Sequence, residues 1–446
     1  MKNPVTRTLM AIAIATSVAS AACVALATAA DAPPAPVRLT YGDAVQLATR
    51  GAASVQIAGL HADEAAARVG VARGELLPIV GGSAFAANHT VVLASEGFSL
   101  PILPDRIGPF DVVDARARLD QALLDPASWQ RLGSASQGKR QFESDRDASA
   151  EGVAQSAALA YLAAARAAAL VGAREQDLSI AEELSSMAEA QLAAGTAPQI
   201  DATRARTQVT SARGDLLLAR YQAKRSLIDL ARALGIDPAT PVTLADTLDS
   251  GLGAAATRDT TLDHALEQRP ELKSESARRA SASAARSATA YERFGRLDLS
   301  ADWGWSGEHA DNALWVRDYQ LTYSIPIFDG LRRESRLHEE TAVVHESDVR
   351  LHDLRDQVSA EVQQARIGLD AALEQFDVAV ERLSLSQQEL DESRDRFVNG
   401  VAGNLDVIQA QSNLVRARDA DVDARYFIAV ARVALARATG VARQLR

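Results

Sequence analysis

The sequence predicts a mainly α protein: long antiparallel coiled-coil helices in two tandem repeats, with four β-strands per chain. Three observations lead there. Residues 153–235 lie over residues 358–440 at a constant offset of 205 with no gap; Gly195 falls on Gly400, Asp201 on Asp406, and Ala219-Arg220-Tyr221 on Ala424-Arg425-Tyr426. In the second copy Val362, Leu369, Phe376, Leu383, Leu390 and Phe397 recur every seven residues. A row of small residues, Ala365, Ala372, Ala379, Ser386 and Ser393, follows three places behind. Upstream of each copy the apolar period drops to two. A duplicated unit is one structural element used twice, and a sustained seven-residue period demands a left-handed supercoil.

Composition agrees. Apolar residues make up 47% of the chain, much of it alanine, and aromatics only 4%. That balance suits closely packed helices better than a thick globular core.

Residues 1–30 read as a signal peptide: Lys2 and Arg7, an apolar stretch from Leu9 to Leu26, then the small residues Ala27-Thr28-Ala29. Cys23 is the sole cysteine, and Ser20 stands where lipid attachment needs an apolar residue, so lipidation is not expected. Loss of Lys2 and Arg7 takes the formal charge from −11 to about −13. An acidic exported chain makes a poor nucleic-acid binder. Beyond the leader no apolar run approaches the roughly 20 residues of a membrane-spanning helix.

The first repeat, 31–245, holds a helix over 40–76, a hairpin over about 78–123 and a helical rod. Its strands lie near 78–88 and 111–123, joined by a loop with Pro101, Pro104 and Pro109. The second, 246–446, holds a helix over 261–293, a hairpin over about 296–328 and a rod from near Gly330. Each rod turns back at a glycine, Gly195 or Gly400, because glycine ends a helix by permitting a left-handed turn. Roughly seventy residues at 1.5 Å each make a rod of about 105 Å. Asp201 and Asp406 open the returning helices, where carboxylates cap amides and suit the dipole. The forward helices align at 217 rather than 205, so the extra length falls in the first strand–loop segment. Loops tolerate such changes; rods in register do not.

The second hairpin carries Leu297, Leu299, Ala301, Trp303 and Trp305, then Tyr319, Leu321, Tyr323, Ile325 and Ile327, at alternate positions. Such strands are what a membrane barrel uses, with outer-membrane lipid as partner. Trp303, Trp305, Trp315, Tyr319 and Tyr323 form the expected aromatic girdle. Four strands cannot close a barrel, and an open edge cannot sit in lipid. Either several chains build one barrel together, or the strands stay out of the membrane.

These residues resemble the TolC family of outer-membrane efflux and secretion channels. The marks are Glu75-Leu76-Leu77-Pro78, Gln121-Ala122-Leu123-Leu124-Asp125, Ile325-Pro326-Ile327-Phe328-Asp329, and the pairs Gly195-x5-Asp201 and Gly400-x5-Asp406. The resemblance implies a homotrimer with a twelve-stranded β-barrel and a periplasmic α-helical tunnel. It also implies a periplasmic adaptor (membrane fusion) protein and an inner-membrane transporter of the RND, ABC or MFS type. Gly195, Pro198, Asp201, Gly400 and Asp406 then resemble adaptor-docking tips, and Asp406, Gln409, Phe397 and Asp201 gating positions at the periplasmic mouth. Two departures matter. Gln409 stands where the archetype has a second aspartate, and Phe397 where a tyrosine would bond Asp201. Phenylalanine cannot donate that bond, so a mouth held by packing is expected.

No catalytic, cofactor or metal residues are expected. His338, His345 and His352 share one helix face, but pairs two turns apart do not converge on one ion. The expected function is a passive outer-membrane exit duct of a tripartite efflux pump or type I secretion system. The alternative is a non-pore periplasmic coiled-coil scaffold, which explains the rods but not the paired strands. An exported hydrolase would need a convergent site that an elongated pattern does not offer.

Overall fold

The computed structural model describes residues 37–92, 106–248, 262–399, 401 and 403–445. The expected signal peptide with Cys23, as well as Pro101, Pro104 and Gly400, lie outside the described residues. In chain order the elements are β1 (Val37–Leu39), α1 (Tyr41–Gly51), α2 (Ala53–Gly74), β2 (Ile79–Val92), β3 (Arg106–Leu124), α3 (Pro126–Ala193) and α4 (Gln199–Ala233). The second half repeats the order with β4 (Val242–Leu244), α5 (Leu262–Gln268), α6 (Pro270–Tyr291), β5 (Arg296–Gly307), β6 (Leu314–Ser324), α7 (Arg332–Val398) and α8 (Asn404–Ala438).

The long helices α3 and α7, of 68 and 67 residues, run through two stacked layers. Next to the sheet, α2 packs on α3, α3 on α6 and α6 on α7. In the far layer α4 packs on α3, α3 on α8 and α8 on α7. The sequence's heptads explain the second arrangement. Val362, Leu369, Leu390 and Phe397 are buried, and so are Ala372, Ala379 and Ser386 from the small row. Large residues set against small ones let the helix axes approach closely.

Each forward helix is broken, a feature absent from the expected continuous helices over 40–76 and 261–293. The breaks fall at Ala52 and Arg269, equivalent positions at the 217 offset. At the second, Pro270 opens α6 and disfavours helical backbone in the residue before it. The returning helices end beside these breaks. Gly235 (φ 72°) packs against Gly51, and Gly440 (φ 77°) against Gln268 and Arg269. A Cβ on Gly235 would lie 3.1 Å from the Gly51 carbonyl oxygen, so each break makes room for the end of a rod.

A waist core joins the repeats where β1 pairs in parallel with β4. Tyr41, Tyr161, Leu162, Leu230, Leu234, Leu435 and Leu445 are buried there. The Tyr161 hydroxyl donates to the Leu39 carbonyl at 3.1 Å and to Asp246 at 3.2 Å, and Tyr41 meets its ring edge-on at 5.6 Å. Burial pushes the Tyr161 hydroxyl pKa up to about 12. The chain's end is clamped to α3 by Glu151, which accepts from the Ala442 amide at 2.7 Å and from Arg443 at 2.8 Å. One expectation fails: a stretch of α3 is apolar and long enough to cross a membrane by length and composition. Alanine there serves waist packing instead, with Ala154, Ala157, Ala158, Ala164 and Ala165 buried.

The strands form one antiparallel sheet in the order β2-β3-β5-β6, so β2 and β6 are its edges. β2 and β3 exceed the expected 78–88 and 111–123 at their loop ends. Pro109, expected in the loop, lies within β3 after a cis Gly108–Pro109 bond. It sits where β3 is paired on one side only, since pairing with β5 begins at Val113. That is where a residue without an amide hydrogen is tolerated in a sheet.

Candidate functional site

The sheet has two chemically distinct faces. Directly opposed residues of neighbouring strands project to the same side, so the register sorts them. Ala84, Ala115, Trp305 and Trp315 align across all four strands, as do Gly82, Ala117, Trp303 and Arg317. With Leu299, Ala301, Tyr319, Leu321 and Tyr323 they make an apolar face on which Arg317 is a charged exception. Trp305 and Trp315 meet edge to face at 5.0 Å. Trp303, Trp305 and Trp315 therefore gather at the loop end. Tyr319 and Tyr323 lie farther along the same face, and Tyr323, about eight residues or 26 Å from Trp315, donates to the Phe294 carbonyl at 2.8 Å.

The opposite face is charged. Arg118, Asp302 and Asp318 align in register. Arg118 pairs with Asp120 at 2.9 Å, and Arg116 pairs with Asp114 at 2.8 Å and reaches Asp318 at 3.6 Å. Asp318 is two strands away from Arg116, and the β5 residue paired with Arg116 is Gly304. A Cβ on Gly304 would stand 2.0 Å from the Ala115 carbonyl oxygen. Glycine thus lets β5 close on β3 and leaves the span that the arginine crosses.

The rods are stitched differently. Between α3 and α4 three ion pairs repeat every seven residues: Glu175–Arg220, Glu182–Arg213 and Glu189–Arg206, each at 2.8 Å. In the second rod the equivalent positions hold Val380, Gln387, Arg394, Gln411, Arg418 and Arg425. Arg418 turns instead to Asp177 of α3 at 2.7 Å. Arg174 holds the other side of Asp177 at 2.8 Å and bonds Asp419. Burial opposes the Arg174 charge, yet the Asp419 and Asp177 carboxylates keep its pKa above the ordinary value. Four side chains thereby join the two repeats midway along the rods.

At the tips Gly195 takes φ 73°, and the amides of Thr196 and Ala197 return to the Gln191 carbonyl. The helix caps are Pro198 and Gly403, and neither makes a side-chain capping bond. Asp201 and Asp406 are the third residues of their helices rather than caps, placed to interact with the helix dipole. Asp201 pairs with Arg204 at 3.6 Å; Asp406 is exposed. Gln409 donates to Asn413 at 3.3 Å. Phe397 is buried within its own chain against Leu390, Val407, Ala410 and Leu414. Two residues missed in the sequence join the tips: Gln191 donates to the Phe397 carbonyl at 3.3 Å, and Asn404 to the Asp201 carbonyl at 2.9 Å. Nothing in the sequence distinguishes Asn404 from an ordinary helix-start asparagine. His338, His345 and His352 are all exposed on α7.

α4 and α7 flank the far layer and keep apolar faces turned away from their own chain. Ile200, Leu217, Tyr221 and Ile228 are exposed on α4, and Ile367, Val378 and Leu385 on α7.

A family model described as outer membrane efflux protein matches residues 44–236 and 261–441. The protein CyaE of Bordetella pertussis is 28% identical over 280 residues, covering 59% of this chain and 56% of that protein. The pyoverdine export outer membrane protein OpmQ of Pseudomonas aeruginosa is 26% identical over 273 residues, with the same two coverages, 59% and 56%. The chain thus spans little more than half the length of these relatives in alignment. Among solved structures, the outer membrane protein VceC of Vibrio cholerae superposes with a TM-score of 0.78 at 19% identity, covering 90% of this chain and 96% of that one.

Proposed function

The chain belongs to the outer membrane efflux protein family, and on that premise we propose that it is a passive outer-membrane exit duct. Three copies would join their four-stranded sheets, β6 of one to β2 of the next, into a twelve-stranded barrel. The observation that carries this reading is the sheet itself: two open edges, one apolar aromatic face and one charged face. An open edge is untenable in lipid, and closure around a charged interior removes it. The bare apolar faces of α4 and α7 support the same assembly, since each needs a helix that its own chain does not supply.

Below the barrel the helices would continue as a tunnel, and the duct does no chemistry of its own. Energy would come from an inner-membrane transporter acting through a periplasmic adaptor. The adaptor would dock on the tips, with Gly195, Pro198, Asp201, Gly400 and Asp406 as contact positions. Three Asp406 carboxylates around the axis would make an acidic mouth that draws cations. The mouth would be held shut by packing around Phe397 and the Asn404 bond. Residues 1–30 would be removed on export.

The deciding experiment is fractionation with planar-bilayer recording. The duct predicts recovery in the outer membrane and cation-selective pores. Recovery in the soluble periplasm would reject it, and an anion-selective reversal potential would reject the acidic mouth.

A further inference from the structure

The turn between β6 and α7 breaks two local rules at once. Gly330 and Leu331 are both left-handed, at φ 72° and 63°, and Leu331 is the sole non-glycine residue with positive φ among the described residues. A left-handed leucine is strained because its Cβ crowds the backbone. Immediately after it, Arg332 and Arg333 open the first turn of α7, with Glu334 behind them and Arg336 in the next turn. Cations at a helix N-terminus oppose the dipole.

The equivalent turn of the first repeat has neither feature. There Asp125 is the N-cap, accepts from the Ser128 amide at 3.0 Å, and Pro126 follows directly in α3. In the second repeat Asp329 accepts from the Arg333 amide at 3.0 Å, but Gly330 and Leu331 stand between it and the helix. The turn stands clear of its own chain: a Cβ on Gly330 would meet nothing within 4 Å. Ile327 and Phe328, 90% and 79% exposed, are the most exposed large apolar side chains described, and Leu331 is 62% exposed. Strain and charge kept together where regular alternatives exist point to a function.

Resting on the outer-membrane reading above, we propose that this turn is a wedge in the periplasm-facing leaflet of the outer membrane. Ile327, Phe328 and Leu331 enter the acyl region, and Arg332 meets lipid headgroups of net negative charge. Three observations select lipid as the occupant. The apolar row Tyr319, Leu321, Tyr323, Ile325 and Ile327 runs unbroken from the strand into the turn, so the wedge continues the surface assigned to the bilayer. Arg333 pairs with Glu334 and Arg336 with Glu292, whereas exposed Arg332 has no partner among the described residues. An apolar collar bordered by a free cation also matches the order of acyl chain and phosphate at a monolayer surface.

The test places an environment-sensitive fluorophore at one introduced thiol, with Cys23→Ser in the background. Phe328→Cys and Tyr319→Cys trimers are reconstituted in vesicles of phosphatidylcholine, with or without phosphatidylglycerol. The lipids carry nitroxides near the headgroup or near the chain end. The wedge predicts that the 328 label loses emission mainly to the headgroup-proximal nitroxide, and the 319 label mainly to the deep one. It also predicts that Arg332→Glu reduces the loss at 328 when phosphatidylglycerol is present and not in its absence. Loss of emission at 319 with none at 328 overturns the wedge and leaves the barrel standing. Loss at neither position overturns the membrane reading, and the wedge with it. An Arg332→Glu variant that behaves alike in both vesicles removes the headgroup contact.

Discussion

Asn404 donates its side-chain amide to the backbone carbonyl of Asp201 at 2.9 Å, tying the second tip to the first across 203 residues of sequence. Asn404 is 2% exposed, so no water can replace the bond without a rearrangement. Asn404→Ala should cost about 1–2 kcal/mol locally and raise the resting conductance of the trimer in planar bilayers. An unchanged resting conductance would show that the tie plays no part in holding the mouth.

Gly304→Ala should prevent sheet assembly. Its Cβ would stand 2.0 Å from the Ala115 carbonyl oxygen, a backbone atom that cannot yield as a flexible side chain could. Overpacking of this kind costs about 1–3 kcal/mol or more. Gly82→Ala, where the added carbon meets nothing within 4 Å, is the matched control. The measurement is the yield of heat-modifiable trimer in the outer-membrane fraction: low for the first variant, normal for the second.

Glu271 links the second forward helix to the end of α8 through Arg269 and Arg437. Burial raises its pKa, but the Arg437 and Arg269 charges outweigh burial and hold it below the ordinary 4.5. A depressed folded-state pKa gives stability that is present above the unfolded value and lost as pH falls through the folded one. Thermal stability should therefore fall as the pH drops below about 4.5, and Glu271→Gln should remove part of that dependence. Identical pH slopes for the two proteins would refute the linkage.

Leu331→Gly should raise thermal stability in detergent, by about 1 kcal/mol from relief of the left-handed leucine. Little packing is lost because the side chain is mostly exposed. A fall in stability would mean that the leucine packs within the trimer rather than against lipid.

The fold was legible where structure is periodic in one dimension. The 205 offset and the Val362-to-Phe397 heptads required no knowledge of neighbours, because helix seams record their own spacing. The break at Arg269 was readable from Pro270. The one at Ala52 precedes no proline and shows itself only through the approach of Gly235 to Gly51. The bridge from Arg116 to Asp318 depends on register among three strands, which alternation alone does not fix. Likewise Phe397 could be recognised as unable to donate a bond, but its burial against Val407 and Leu414 depends on how the tip folds back.

The three glutamate–arginine pairs of the first rod cannot form at the equivalent positions of the second, which hold Val380, Gln387, Arg394, Gln411, Arg418 and Arg425, while an apolar seam of Leu184, Leu390, Phe397, Val407 and Leu414 packs the second tip against α3. Exposed pairs are worth roughly 0.2–1 kcal/mol each and weaken as mobile ions accumulate. An apolar seam is indifferent to dissolved ions at these levels and fades on cooling. The two arms of one chain therefore differ in what dissolved ions can reach: the first carries three exposed pairs that salt weakens, while the seam at the second tip is untouched by it. Duplication has thus left one chain with two arms of nearly the same length and unequal sensitivity to salt.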